Sequence, residues 1–276
     1  MPFRSSLRSG SVARQTVVFF VLTFVLSWGV WLPAALAPDP ASVPALWGLG
    51  SFGPSLAGLI VLGLFHGPAG LWGLGRRLVQ WRVRPRWYLV ALGLPCALAA
   101  GVVLLDQTLR GVPLSLTPLV PAAQIPLVFL VILVLGGPLN EELGWRGMAL
   151  PALQRMLSPW AASLVLGGFW AAWHLPLFWI PGASQAGLPI APILAQIVAL
   201  SILFTWLYNR THGSLLLALL FHAALNGTGA VLPILPEATG STQAMLLTVA
   251  ATVGAALLVG LHPAGLAAGA PETELT

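Results

Sequence analysis

Several ionisable and amide side chains interrupt long apolar stretches of this chain, where such groups are costly to bury. A carboxylate, imidazoles and a carboxamide together form a hydrolytic set, because they can supply a general base, a proton shuttle or metal ligand, and hydrogen-bond donors for an oxyanion. The residues that could do this chemistry are Glu141, Glu142, Arg146, His174, His222 and Asn226.

The spacing within the first group divides its two carboxylates between different tasks. Glu142 and Arg146 are four residues apart, so on a helix they share a face and can form an ion pair. Glu141 is turned about 100° away from Glu142, so it needs another partner. The structural alternative is that the whole group lies at the headgroup level of a membrane, where water solvates it.

The two histidines lie in separate apolar stretches. His222 and Asn226 are also four residues apart and would present two polar groups on one helix face. His174 is followed by Pro176, which frees a backbone carbonyl and can open space for water beside the ring. Either histidine alone could be a hydrogen-bonded packing residue. Glu141 and both histidines lie near the middle of their stretches, so we expect them at one depth of a helical bundle.

Composition identifies the medium that surrounds these residues. Of the 276 residues, 58% are hydrophobic and 7% are charged, and the mean hydropathy is +0.91. So few charges cannot cover a water-soluble globule of this size, which excludes a soluble enzyme and a disordered chain. The single cysteine, Cys96, excludes a disulfide framework or a cysteine-rich metal site. Abundant alanine, glycine and arginine without lysine hint at a GC-rich bacterial genome.

Eight apolar stretches are long enough to cross a membrane, for which a helix needs about 20 residues. The stretches are apolar on all sides rather than alternating, which favours helices over barrel strands. We predict an all-α, polytopic membrane helix bundle with about eight transmembrane helices, forming a single integral membrane domain over residues 1–276. The predicted spans are 15–37, 45–65, 87–105, 125–150, 159–180, 189–208, 213–234 and 242–261.

The distribution of arginines predicts the orientation of the bundle. Arginines cluster before the first span and over residues 76–86, whereas the opposite loops carry Asp39, Asp106 with Arg110, and Glu237. By the positive-inside rule, both termini face the cytoplasm of a cell membrane. The clusters stand between apolar runs, so they indicate membrane topology and no nucleic-acid partner. We expect the first span to be a retained helix rather than a cleaved signal peptide.

The segment 71–87 combines Trp72, Trp81 and Trp87 with five arginines. Basic and aromatic residues together are typical of an interfacial segment on the inner leaflet of a membrane. An ordinary positive-inside loop fits the same composition.

At the residues named above, the chain resembles the CAAX prenyl endopeptidase and bacteriocin-processing (CPBP) family of intramembrane proteases, also called Abi proteins. That family is marked by EExxxR, FxxxH and HxxxN motifs on successive membrane helices. Residues 141–146, Glu-Glu-Leu-Gly-Trp-Arg, match the first motif, and residues 222–226, His-Ala-Ala-Leu-Asn, match the third. In the second motif Trp170 stands four residues before His174, where the family has phenylalanine. The resemblance covers residues 125–232, the expected CAAX-protease-like catalytic core.

The resemblance implies an intramembrane endopeptidase that hydrolyses a peptide bond of a membrane-embedded or lipid-anchored protein or peptide within the lipid bilayer. In such an enzyme Glu141 would activate a water molecule with help from His174. His222 and Asn226 would then stabilise the oxyanion formed at the scissile bond.

The first motif also implies supporting residues and leaves two versions of the chemistry open. Glu142 and Arg146 would support the catalytic residues. In one version Glu141, His174 and His222 hold Zn²⁺, which lowers the pKa of a bound water toward about 7. In the other version Glu141 acts without a metal. The chain has no HExxH sequence, so the familiar zinc site on a single helix is absent.

The same residues allow two other functions. Glu141, Glu142, His174 and His222 could form the relay of a proton-coupled transporter. Transporters often contain paired repeats with broken helices at corresponding positions, and no such pairing is evident in the sequence. The third possibility is a non-catalytic scaffold in which these residues have lost their role.

Overall fold

The computed structural model describes residues 3–36, 43–262 and 265–267, with side chains described from residue 12 onward except at residues 43 and 44. Twelve α-helices lie within these described ranges. They are α1 (Phe3–Leu36), α2 (Val43–Ser51), α3 (Gly53–Leu78), α4 (Pro85–Leu109), α5 (Ile125–Leu135), α6 (Pro138–Gly144), α7 (Leu150–Gln154), α8 (Pro159–Trp173), α9 (Ile190–Arg210), α10 (Leu215–Val231), α11 (Pro236–Thr239) and α12 (Gln243–Leu261).

Seven helical stretches in the described part of the chain are long and apolar enough to cross a membrane. They confirm the predicted all-α, multi-pass membrane helix bundle. Large apolar side chains such as Leu64, Leu89 and Leu258 are exposed on its outer faces, where hydrocarbon rather than water would surround them. The stretches are Val12–Leu36, Ala45–Leu78, Pro85–Leu109, Ala122–Gln154, Ile190–Arg210, Leu215–Thr239 and Gln243–Leu261.

The predicted span 159–180 forms a shorter helix than its apolar sequence suggests. α8 ends at Trp173 after 15 residues, which is about 22 Å at 1.5 Å per residue against a hydrocarbon core of roughly 30 Å. The helix ends before Pro176, which has no N–H to continue the hydrogen-bond ladder. α8 packs on α9, where Ser201 Oγ donates to the Ser163 carbonyl at 2.9 Å.

The predicted span 125–150 is divided into α5, α6 and a π-helical turn, Trp145–Ala149, that leads into α7. The break falls on the sequence Gly-Gly-Pro at residues 136–138. Gly137 has φ 115°, a conformation that residues with a Cβ rarely adopt. Pro138 fits the first position of a helix because an N–H there has no intrahelical partner. The break therefore starts a new helix, α6, one turn before the Glu-Glu pair.

Several helix ends meet at one end of the bundle. Arg77 Nη2 donates to the Gly147 carbonyl at 2.5 Å, and Gln80 Nε2 donates to the Thr211 carbonyl at 3.1 Å. Ser214 Oγ donates to the Gln80 carbonyl at 2.8 Å. These contacts bring the end of α3, the π-helical turn and the α9–α10 connection together. We call this region, which includes the arginines between residues 76 and 86, the arginine-rich end.

The opposite end of the bundle carries acidic residues that the sequence analysis assigned to the loops facing away from the cytoplasm. Asp106 pairs with Arg110 at 3.3 Å near the end of α4, and Glu237 follows α10 in α11. The side chains of Arg4 and Arg8, the residue Asp39 and both chain termini lie outside the described residues. The assignment of the arginine-rich end to the cytoplasm stays a prediction.

A backbone contact without side chains joins α3 to α6. A Cβ on Gly144 would fall on the backbone of Pro54, and a Cβ on Gly58 would lie 3.0 Å from the Gly144 Cα. Ser55 Oγ of α3 also donates to the Leu139 carbonyl of α6 at 2.8 Å. Because Gly144 lies between Glu142 and Arg146, this contact fixes the depth of the first motif in the bundle.

We expect Gly144→Ala to lower the free energy of unfolding of the purified protein by about 1–3 kcal/mol, because overpacking forces two backbones apart. The measurement is the unfolding transition in detergent. The control is Gly101→Ala, a helical site where a Cβ meets nothing within 4 Å. Equal stability of both variants would contradict the close contact between α3 and α6.

Candidate active site

A cavity of about 530 Å³ lies where the three sequence motifs meet. All four residues predicted to be catalytic line it, together with Trp170. Its walls are otherwise mostly apolar. Glu141 and both histidines are buried, whereas the amide of Asn226 is exposed in the cavity. The residues predicted from three separate spans therefore lie together, and the two supporting residues lie behind them. The four lining residues are Glu141, His174, His222 and Asn226.

The start of α6, which carries Glu141, is held by hydrogen bonds from Asn140 to residues outside the helix. Asn140 Nδ2 donates to the Leu135 carbonyl at 3.2 Å and to Ser51 Oγ at 2.8 Å. The first bond satisfies a carbonyl that the break after α5 leaves without a helical partner. The second bond ties the start of α6 to α2. Glu141 is therefore presented to the cavity from a fixed helix start.

The predicted ion pair between Glu142 and Arg146 forms, and it includes a third residue. Arg146 Nη1 lies 2.9 Å from Glu142 Oε1, and both side chains are 0% exposed. His222 Nδ1 lies 2.8 Å from the same oxygen. Because a carboxylate oxygen accepts, His222 donates its Nδ1–H there and leaves Nε2 toward the cavity. The Glu142–His222 contact adds a role for Glu142 that its sequence spacing did not indicate.

Two aromatic rings complete the surroundings of Arg146. Its Cζ atom lies 4.2 Å from the ring centroid of Trp170 and 3.8 Å from that of Phe204. A desolvated guanidinium over aromatic faces gains a cation–π attraction. Arg146 belongs to the π-helical turn, a local structure that is frequent at functional sites. The arginine is thus part of the packed interior and not of a solvated surface.

Trp170 is the partner that Glu141 needs. Its Nε1–H donates to Glu141 Oε2 at 2.7 Å. A phenylalanine, the family's residue at this position of the second motif, has no N–H to donate. The ring of Trp170 also lies 5.9 Å from the ring of His174 and 5.8 Å from that of His222, centroid to centroid. Trp170 therefore contacts all three motifs.

His174 is oriented by its own helix. Its Nδ1 lies 2.7 Å from the Trp170 carbonyl. Because a backbone carbonyl only accepts, Nδ1 carries the hydrogen and Nε2 is the acceptor atom of the neutral ring. The same tautomer follows for His222 from its contact with Glu142. Both histidines are thus fixed through Nδ1, so that Nε2 is their acceptor atom.

Three functional atoms face a single point beside Gly137. A Cβ built on Gly137 would lie 2.9 Å from Glu141 Oε1, 3.2 Å from Asn226 Nδ2 and 3.5 Å from His222 Nε2. Asn226 Nδ2 also donates to the Gly136 carbonyl at 2.9 Å, which uses one of the two N–H groups of the amide. The sequence analysis did not identify Gly137 as a site residue, although the Gly-Gly-Pro sequence just before the first motif indicates a helix break there.

The described residues contain no group of three or more His, Cys, Asp and Glu side chains arranged to hold a metal ion. Glu141, His174 and His222, the predicted zinc ligands, line one cavity but do not form such a group. The donor types, one carboxylate and two imidazoles, suit zinc. The zinc expectation therefore stays a prediction.

We expect a coupling free energy of about 1.5–3 kcal/mol between Trp170 and Glu141, the range for a hydrogen bond to a charged group. The measurement is a double-mutant cycle of unfolding in detergent with Trp170→Phe, Glu141→Ala and both changes together, because each single change removes the hydrogen bond. Trp179→Phe, at an exposed tryptophan, is the control and should show no coupling. Additive effects in the Trp170 cycle would contradict the contact.

Comparison with known proteins finds a similarity for the segment that contains the motifs. Residues 123–228 match the family described as type II CAAX prenyl endopeptidase Rce1-like. The chain is also 31% identical over 135 residues to CAAX prenyl protease 2 of Methanococcus maripaludis. That match covers 47% of this chain and 49% of the relative. The chain therefore spans about half the length of the curated relative that it matches.

Proposed function

Because residues 123–228 match the Rce1-like family of type II CAAX prenyl endopeptidases, we propose that the chain is an intramembrane endopeptidase of that family. It hydrolyses a peptide bond of a membrane-associated protein or peptide. The observation that carries this proposal is the convergence of Glu141 Oε1, His222 Nε2 and Asn226 Nδ2 on the point beside Gly137. A carboxylate, an imidazole and a carboxamide around one point suit the hydrolysis of an amide bond.

In the proposed reaction a water molecule lies between Glu141 and the scissile carbonyl. Glu141 Oε1 takes a proton from the water as its oxygen attacks the carbonyl carbon. His174 Nε2 accepts a hydrogen bond from the same water and orients it. The Glu141 carboxyl then returns the proton to the amide nitrogen as the carbon–nitrogen bond breaks, which releases an amine and a carboxylic acid and restores the Glu141 carboxylate.

The oxyanion of the tetrahedral intermediate requires hydrogen-bond donors. Asn226 Nδ2 has a second N–H besides the one donated to the Gly136 carbonyl, and it donates this one. His222 donates through Nε2 only when both ring nitrogens carry protons, because Nδ1–H is engaged by Glu142. Glu142 and Arg146 therefore act indirectly, by holding His222.

The wider surroundings of the site support a membrane substrate. The cavity walls beyond the catalytic residues are mainly apolar and reach α4, α9 and α12, so an extended segment of a membrane-embedded or lipid-anchored substrate can occupy them. We further propose that the chain lies in the cell membrane with both termini in the cytoplasm, as the arginine distribution predicts. The zinc-dependent version stays a separate prediction, and no step above uses a metal. The family match gives the proton-relay transporter no support.

We expect Glu141→Gln to abolish proteolysis without loss of folding, because the amide cannot accept the proton of the water. The measurement compares protein termini in cells that express the wild type or the variant at equal levels. New termini confined to the wild type support the proposal and name the substrates. Loss of these termini with a membrane-permeant chelator would support a metal.

The matched control is Glu237→Gln, the same chemical change at an exposed residue at the opposite end. It should leave the wild-type termini unchanged. Identical termini in the wild type and Glu141→Gln, with both proteins folded, would contradict the endopeptidase and call for a flux assay in vesicles.

We expect Gly137→Ala to reduce the same cleavage by at least about 100-fold, because its methyl group would project between Glu141, His222 and Asn226 and displace the attacking water. The measurement is the abundance of the wild-type termini. Gly182→Ala controls for backbone strain, since Gly182 also has positive φ, 78°, but its Cβ would meet nothing within 4 Å. Full cleavage by Gly137→Ala would contradict the water position.

A further inference from the structure

A second cavity, of about 400 Å³, opens at the arginine-rich end, outside the candidate active site. Arg76, Arg77 and Arg82 line it together with Gln80 and Trp81. The end of α3 and the connection to α4 form its walls. We call it the arginine cavity. The proposed proteolytic reaction does not use it.

The positive charge of the arginine cavity is not neutralised by any described carboxylate. Arg77 donates Nη1 to the Tyr208 hydroxyl at 2.8 Å and Nη2 to the Gly147 carbonyl, and both oxygens belong to neutral groups. Arg76 and Arg82 are exposed, and neither forms an ion pair with a described acidic residue. An anion of the surroundings can therefore supply the missing charge.

Exposed tryptophans flank the same cavity. The Trp81 side chain is 63% exposed, and the Arg82 guanidinium lies 5.3 Å over its ring. Trp72 is 72% exposed and stands four residues before Arg76, so the two share a face of α3. Exposed indole rings are typical of the headgroup level of a membrane. We therefore expect the arginine cavity to open at the level of the lipid phosphates.

We propose that the arginine cavity binds the phosphate headgroup of an anionic phospholipid. The planar guanidinium groups of Arg76 and Arg82 present paired N–H donors that match phosphate oxygens. Val79, which is 67% exposed and lines the cavity, and the tryptophans supply apolar surface for the glycerol and acyl portion. Free phosphate has no such portion, so these residues favour a lipid.

The experiment titrates the purified full chain in neutral detergent with dioctanoyl phosphatidylglycerol and measures binding by native mass spectrometry. Dioctanoyl phosphatidylcholine and inorganic phosphate are the comparison ligands. We expect the anionic lipid to bind most tightly. Arg76→Gln with Arg82→Gln should weaken it by about 30-fold. Arg14→Gln with Arg155→Gln, which removes two exposed arginines elsewhere, should change its affinity less than threefold.

Equal weakening by both double variants would overturn the site, because only overall charge would then matter. Inorganic phosphate binding as tightly as the anionic lipid would overturn the choice of ligand. If the glutamine variant does not fold, Arg76→Lys with Arg82→Lys retains the charge but lacks the paired donors. It should bind several-fold more weakly than the wild type, and unchanged affinity would overturn the proposal.

Discussion

Glu142 and Arg146 form an ion pair at the centre of this bundle, and both side chains are wholly buried. Each charge requires the other, because a buried charge without a partner is strongly destabilising. Glu142 Oε1 accepts from Arg146 and from His222, while the Arg146 guanidinium lies between Trp170 and Phe204. These contacts join α6, the π-helical turn, α8, α9 and α10. The positions of two cavity-lining side chains, His222 and Trp170, depend on this cluster.

The cluster also gives the two adjacent carboxylates, Glu141 and Glu142, different surroundings. Both donors to Glu142, Arg146 and His222, bind its Oε1 within the protein interior, whereas its neighbour Glu141 has one oxygen bound to Trp170 and the other facing the cavity. The helical rotation between adjacent residues makes this division possible. Two consecutive carboxylates thus have different surroundings, and only one of them can meet a water molecule and a substrate together.

Local spacing made part of this arrangement predictable from the sequence. Four-residue spacing gave the Glu142–Arg146 pair, and the apolar runs gave most of the membrane-crossing helices. The contact between Glu142 and His222 joins residues 80 positions apart, so it depends on how α6 and α10 pack, which no local pattern encodes. The hydrogen bond from Trp170 to Glu141 could not be predicted either, because it depends on how α6 and α8 pack. The Gly-Gly-Pro sequence indicated a helix break at Gly137. Only the folded structure shows that Gly137 lies close to the side chains of Glu141, His222 and Asn226.

The short helix α8 has a consequence for the lipid around the protein. Its exposed face, with Leu164, Val165 and Phe169, offers about 22 Å of helix where the hydrocarbon of a bilayer is roughly 30 Å thick. Hydrophobic mismatch of this kind is relieved by local thinning of the bilayer. His174 lies directly after the end of α8, so we expect such thinning to fall beside the cavity. A thinner bilayer at this place would shorten the path of the water that hydrolysis consumes.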